Sequence, residues 1–303
     1  RGGMRKFLLL FLGLMLPFGI GSAAAQYKPS GETRSENIFV FGIHPYSNPQ
    51  DLYDAYEPIA RYLERKIPGT RFRIEASRDY ADFEAKMAAG KFHFALPNPL
   101  EAVVGLEQGY RVVAKMTPDE DFRGLIVARK DRTLHSPRDL VGKTVAFPSP
   151  TAVAATLLPL SYLADHGLDV RTEIQPRYVG SQFSSLLNAY AGDVTACGST
   201  VRFWRIWSRD NPDKAAEMEV LWQTDSLPHN AVIVRADVDK VIAAKVGQIL
   251  AGMDKDHDLD PSQFKQDQAH FELATNETYQ RIRDILARTD QRIGLTADIR
   301  DKL

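Results

Sequence analysis

The stretch Thr144-Val145-Ala146-Phe147-Pro148-Ser149-Pro150-Thr151-Ala152-Val153-Ala154-Ala155 carries the clearest chemistry in the chain. It reads as a buried strand, a turn holding two prolines, and a helix that begins near Thr151. A helix start leaves backbone N–H groups unpaired and carries a partial positive charge. At the carboxyl end of a strand in an open α/β sheet, such a start is an anion site. Thr151 is placed to cap the helix and to reach a ligand. Ala152, Val153 and Ala154 bring no hydroxyls, so their backbone amides alone would meet an anion. Other strand ends converge on the same region. They deliver His44, Pro45 and Tyr46; Pro97 and Asn98; Gly180, Ser181 and Gln182; Cys197, Gly198, Ser199 and Thr200; and Leu227-Pro228-His229-Asn230. Tyr80 opens a helix and is placed either to stack on a ligand or to pack in the core.

Competing chemistries are less well supported. The chain has no Gly-x-Ser-x-Gly elbow, phosphate-binding loop or dinucleotide fingerprint. None of its seven histidines forms a His-x-x-x-His or cysteine–histidine cluster, which disfavours a metal centre. Asp254-Lys255-Asp256-His257-Asp258-Leu259-Asp260 resembles the start of a calcium loop. It lacks the glycine and the bidentate glutamate that such a loop requires, and reads as a solvated linker. Cys197, the single cysteine, is either a buried thiol or a nucleophile. Phe203-Trp204-Arg205-Ile206-Trp207 has helical spacing and reads first as core, second as a docking surface.

The elements that must position these residues alternate along the chain. Strands are expected over 37–43, 71–76, 92–96 and 111–116, with helices over 51–66, 80–89 and 98–108 between them. The segment Thr117-Pro118-Asp119-Glu120-Asp121 ends this series. A second series follows, with strands over 124–129, 143–147, 174–179, 194–197, 219–223 and 231–235, and helices over 153–166 and 182–191. Only helices are expected beyond it, over 238–253, 264–269 and 278–288. Two α/β units joined by strands imply two lobes with a cleft between them.

The 303 residues carry 38 basic and 39 acidic side chains, too balanced a charge for a nucleic-acid partner. Met4-Arg5-Lys6, the apolar run Phe7–Gly21 and Ala23-Ala24-Ala25 read as a signal peptide over 1–25, cleaved before Gln26. With one cysteine there is no intrachain disulfide. An exported, soluble protein of this kind is expected in a bacterial periplasm.

The order of several motifs resembles the periplasmic phosphate/phosphite/phosphonate-binding proteins of ABC transporters. The carriers are Phe41-Gly42-Ile43, Tyr62-Leu63, Asp79-Tyr80, 95–102, Phe122-Arg123-Gly124, 139–144, 147–159, Gly192-Asp193-Val194 and 220–235. The resemblance implies an α/β, two-lobed type II periplasmic binding fold, each lobe a mainly parallel sheet flanked by helices. It implies lobe 1 over 26–121, lobe 2 over 122–225, and a crossover strand with C-terminal helices over 226–303. The family's anion turn, Asp-Pro-x-Ser-Thr-Ser-Gly, falls on Ser149–Ala155, so Ala152, Val153 and Ala154 stand where its hydroxyls would be. The pocket tyrosine is kept as Tyr80. A second tyrosine becomes Pro97, a histidine becomes Ser181, and acidic residues that hold an amine in some members fall near Thr200 and on Asn230.

The expected protein is therefore a monomeric solute-binding protein, not an enzyme, without cofactor or metal. It would close around a small anionic ligand of the phosphate, phosphite or phosphonate class in an altered pocket, and pass it to an ABC permease. The ligand-binding candidates are Tyr46, Tyr80, Asn98, Thr151, Ala152, Val153, Ala154, Ser181, Gln182, Cys197, Ser199 and Asn230. Two alternatives use the same fold: a sensor partnered by a receptor kinase, binding an oxyanion or an arsenite-like ligand, and an enzyme using Cys197.

Overall fold

A computed structural model describes residues 37–264 and 269–295. The expected signal segment lies outside the described residues. The chain enters through β1 (Asn37–Ile43), whose last five residues are all buried. In α1 (Pro49–Lys66), Leu52, Tyr56, Ile59, Tyr62 and Leu63 make one buried stripe. It starts before the expected Asp51 because Asn48 accepts the Asp51 N–H and Pro49 occupies the first turn, where a missing N–H costs nothing. Next come β2 (Thr70–Ala76), α2 (Tyr80–Ala88) with Asp79 as its cap, and β3 (Phe94–Leu96). In α3 (Pro99–Glu107), Asn98 and Glu101 form a reciprocal capping box. β4 (Tyr110–Thr117) completes the first series.

The chain then crosses to β5 (Arg123–Arg129) and β6 (Thr144–Phe147). A π-helical turn, Val153–Leu157, runs into α4 (Leu158–Asp165). β7 (Gln175–Tyr178), α5 (Gln182–Ala191), β8 (Ala196–Thr200), α6 (Val201–Asp210), α7 (Pro212–Ala216) and β9 (Met218–Ser226) follow. The chain returns through β10 (Ala231–Arg235) to α8 (Lys240–Gly252), β11 (His270–Leu273) and α9 (Asn276–Ile293).

Two sheets result. One has the order β11-β4-β10-β3-β1-β2, the other β7-β6-β8-β5-β9. The parallel pairs are β1 with β2 and β3, and β6 with β7 and β8. The strands next to the crossings run the other way: β10 is antiparallel to β3 and β4, and β5 to β8 and β9. The sheets are thus mixed, their parallel cores narrower than the strand–helix rhythm implies, because β5 and β10 enter from the opposite sheet. Aromatic packing holds the first sheet, with Phe39 edge-on to Phe94 at 5.6 Å and tilted against Phe72 at 5.4 Å.

Two expectations need correction. The C-terminal region is not only helical, since β11 pairs antiparallel with Ala114–Thr117 of β4. His-Phe-Glu-Leu is too short to show a period, and an open sheet edge decides its conformation. Part of the helix expected over 264–269 lies outside the described residues. The strand expected over Val194–Cys197 instead runs over Ala196–Thr200, because Gly124 to Ala128 of β5 pair along its whole length.

Candidate functional site

A cavity of about 30 Å³ lies where the two sheets meet. His44, Tyr46, Tyr80 and Asn98 line it from the first sheet. Ala152, Val153, Ala154, Ala155, Gln182, Thr200, Arg202 and Phe203 line it from the second. Met116, Phe122, His229 and Asn230 line it from beside the two crossings. Two bonds join the sides directly: Asn98 Nδ2 donates to Thr151 O at 2.9 Å, and the Gln182 N–H donates to Tyr46 O at 3.1 Å. The Tyr46 ring meets Phe203 edge-on at 6.0 Å.

The π-helical turn is built by its neighbours. Ala152 O accepts both the Thr156 and Leu157 N–H groups at 3.0 Å, which widens the turn. Pro159 brings no N–H, so the Ala155 carbonyl lacks its helical donor. The Ala154 and Ala155 carbonyls instead press on two glycines. A Cβ on Gly124 would stand 2.4 Å from Ala154 O, and one on Gly198 would stand 1.9 Å from Ala155 O. Thr151 does not cap the helix. Its hydroxyl pairs with Ser149 Oγ at 3.0 Å, and the cap position is Ala152, which has no side-chain acceptor. The amides of Val153, Ala154 and Ala155 therefore have no acceptor among the described residues and meet the cavity with only small apolar side chains around them.

A full positive charge is added by α6. Thr200 caps that helix by accepting the Phe203 N–H at 3.2 Å, which brings Arg202, 7% exposed, to the cavity wall. Gln182 Oε1 accepts Ser199 Oγ at 3.2 Å and the Thr200 N–H and Oγ1 at 3.0 Å. With its oxygen so occupied, Gln182 presents its Nε2 amide as a donor. His229 Nδ1 accepts the Asn230 N–H at 2.7 Å, so Nε2 carries the proton; that atom is buried with no hydrogen-bond partner. Burial, with the Arg202, Lys115 and Arg205 cations nearby, pushes the His229 imidazole well below its ordinary range and keeps it neutral. Asn230 Oδ1 is likewise buried without a partner. Phe122 lies against the His229 ring at 5.2 Å.

Of the candidates read from sequence, Tyr46, Tyr80, Asn98, Ala152, Val153, Ala154, Gln182 and Asn230 line the cavity. Thr151, Ser181, Cys197 and Ser199 do not. Ser181 is spent as the α5 cap, accepting the Ser184 N–H at 3.1 Å. Ser199 lies within β8 and orients Gln182. Cys197 is fully buried in the hydrophobic core that also holds Leu186, Phe203 and Trp207, and burial pushes its thiol up, away from the reactive thiolate. Sequence reading missed Arg202, Met116 and Phe122 altogether. The signal for Arg202 was its place two residues after the strand end at Thr200.

An amide turn without acceptors among the described residues shares this cavity with an arginine and a neutral histidine, all groups that can donate to an anion. A family model described as the phosphonate ABC transporter periplasmic substrate-binding protein matches residues 41–279. The chain belongs to this family. Among curated relatives, it is 27% identical over 225 residues to the phosphate-import protein PhnD of Mycolicibacterium smegmatis, covering 66% of this chain and 67% of that one. It is 20% identical over 234 residues to the phosphonates-binding periplasmic protein of Escherichia coli, covering 74% and 69%. Among solved structures, the fold superposes with a TM-score of 0.75 on PhnD1 from Prochlorococcus marinus in complex with methylphosphonate. That match has 16% identity and covers 84% of this chain and 99% of that one. A binding component of an ABC phosphonate transporter from Pseudomonas aeruginosa also superposes at 0.75, with 17% identity, covering 87% and 91%.

Proposed function

We propose that this chain is a periplasmic binding protein that holds a small phosphonate-class oxyanion between its sheets and delivers it to an ABC permease. The observation that carries this reading is the set of unpaired Val153, Ala154 and Ala155 amides sharing a cavity with Arg202 and the His229 Nε2–H. These groups are donors, and their shared cavity suits one compact anion. Met116, Phe122, Phe203 and Ile206 line the rest of the wall and suit an apolar substituent on that anion. Among the described residues no carboxylate lines the cavity, which argues against a ligand carrying an amine. The buried thiol of Cys197 argues for binding rather than catalysis. Among the described residues no helix is long and apolar enough to cross a membrane.

The test is calorimetric titration with methylphosphonate, phosphite, phosphate, 2-aminoethylphosphonate and sulfate. At 100 times its dissociation constant, a true ligand also stabilises the protein by about 2.7 kcal/mol, which a melting curve resolves. Methylphosphonate or phosphite is expected to bind most tightly. Ala154→Asp, which puts a carboxylate beside the amides, is expected to abolish binding; unchanged affinity in that variant overturns the assignment of the turn.

A further inference from the structure

One donor of the cavity is carried by neither sheet. His229 lies in the return crossing, between β9 and β10. Its Nδ1 accepts the Asn230 N–H at 2.7 Å, and its Nε2 is buried without a hydrogen-bond partner. A bond between neighbours in sequence turns with the main chain that carries both of them. It fixes which nitrogen bears the proton, but it cannot by itself aim Nε2–H at a point in the cavity. That direction depends on how the main chain of His229 is held.

Both polar groups of that main chain are taken by side chains from elsewhere. The His229 N–H donates to Asp119 Oδ1 at 3.0 Å, and the His229 carbonyl accepts the Tyr279 hydroxyl. Asp119 opens the turn Asp119–Asp121 in the first crossing, and Tyr279 belongs to α9. Tyr279 is fully buried on the same stripe as Ile282 and Leu286. Burial, with the Asp119 and Glu272 carboxylates nearby, holds its phenol well above the ordinary range, so it remains a donor. Asp119 is fixed in turn. The oxygen that accepts the His229 N–H also meets Lys115 Nζ at 2.6 Å, and Lys115 Nζ meets Glu272 Oε1 of β11 at 2.6 Å. Phe122, from the same crossing as Asp119, packs against the imidazole at 5.2 Å. The first crossing, β11 and α9 thus converge on one residue of the second crossing. A buried network whose bonds are all made specifies a single geometry. None of these supports comes from the turn Val153–Leu157 or from α6, which bring the amides and Arg202.

Resting on the anion reading above, we infer that Asp119 and Tyr279 are positioning residues for anion binding, holding the His229 main chain so that Nε2–H points at an oxygen of the bound ligand. Neither lines the cavity, so both act through His229. Lys115 stands one step further out and fixes the Asp119 carboxylate.

The test is a double-mutant cycle on the purified protein, read by calorimetric titration with methylphosphonate. Tyr279→Phe keeps the buried ring and removes only the hydroxyl. It is expected to weaken binding about threefold to tenfold, the loss for one neutral hydrogen bond. In a His229→Leu background there is no Nε2–H to aim, and the same substitution is expected to change Kd by less than about twofold. A hydroxyl with a merely structural role would lower the melting temperature without this dependence on His229. Nitrogen NMR of the imidazoles gives the second readout. The His229 Nε2 resonance, identified by its loss in His229→Leu, is expected to move when methylphosphonate is added to the wild type, and to move less in Tyr279→Phe. Asp119→Ala removes the acceptor of the His229 N–H and leaves Lys115 with Glu272. It is expected to act through His229 in the same two readouts, and it replaces Tyr279→Phe if that variant does not fold. An equal loss of affinity with and without His229, or no loss in either background, overturns this inference and leaves the anion site standing. If His229→Leu binds too weakly to measure, an unchanged ligand-induced shift in both Tyr279→Phe and Asp119→Ala overturns it. Absence of binding heat with methylphosphonate, phosphite and phosphate in the wild type overturns the anion reading, and this inference with it.

Discussion

At the scale of single residues, the site is a ring of donors whose charge comes from one arginine. Replacing Arg202 by leucine keeps the packing of its stem but removes a charge-assisted partner, a difference of about 1.5–3 kcal/mol. At about 1.4 kcal/mol per decade, oxyanion affinity should fall roughly tenfold to a hundredfold, as titration calorimetry would show. His229 makes a second prediction. Its ordinary value is 6.5, and burial depresses it in the folded state. The unfolded chain therefore binds the proton more readily. The stability His229 contributes is complete above about pH 6.5 and declines as pH falls towards the folded value, by up to about 1.4 kcal/mol per unit. Glu101, raised by burial, acts in the opposite sense at the acid end. Melting temperatures of the wild type should drop between neutral and mildly acid pH, and His229→Gln should flatten that drop. An equal slope in the two proteins would remove His229 as its cause.

At the scale of elements, the decisive feature is a turn seated on glycines. Gly198→Ala forces a Cβ against Ala155 O and Phe147, where it would lie 1.9 and 2.7 Å away. Overpacking of this kind costs about 1–3 kcal/mol, and denaturant midpoints should report it. Anion affinity should suffer as well, because the turn that aims the amides must move. Much of this level was legible in the sequence. Asn48, Asp79, Asn98, Ser181 and Thr200 sit immediately before apolar-periodic runs, and each caps a helix. β11 was not legible, since four residues carry no period and the free edge of β4 sets their conformation. Nor was the extent of β8, whose last three residues read as a loop until β5 pairs with them. That register moved Ser199 from a ligand candidate to a support for Gln182, and it placed Arg202 at the cavity. The His44–Glu101 contact joins residues far apart in sequence, and no local pattern signals it.

At the scale of the whole molecule, two sheets meet across a cavity, and the chain passes between them at residues 117–123 and 226–231. The strand–helix rhythm and the family resemblance led to this architecture, and the superposition on solved binding proteins agrees with it. Eight of the twelve candidates read from sequence line the cleft, whereas Arg202, Met116 and Phe122 came only from the fold. The bond from Asn98 Nδ2 to Thr151 O spans the gap without involving a ligand. Asn98→Ser keeps a capping oxygen for α3 but does not reach Thr151. It should therefore lower affinity without unfolding the helix, by about tenfold if the lost bond is worth roughly 1.4 kcal/mol. Circular dichroism would confirm the retained helix.

The clasp also separates two properties of a receptor that are easily confused. A bond made whenever the two halves meet, whatever lies between them, sets the fraction of molecules ready to receive a ligand. That fraction scales every dissociation constant equally. Loosening the clasp should shift methylphosphonate, phosphite and phosphate by one common factor and leave their ratios untouched. How strongly the protein binds can then be tuned from its rim, while what it prefers is decided inside.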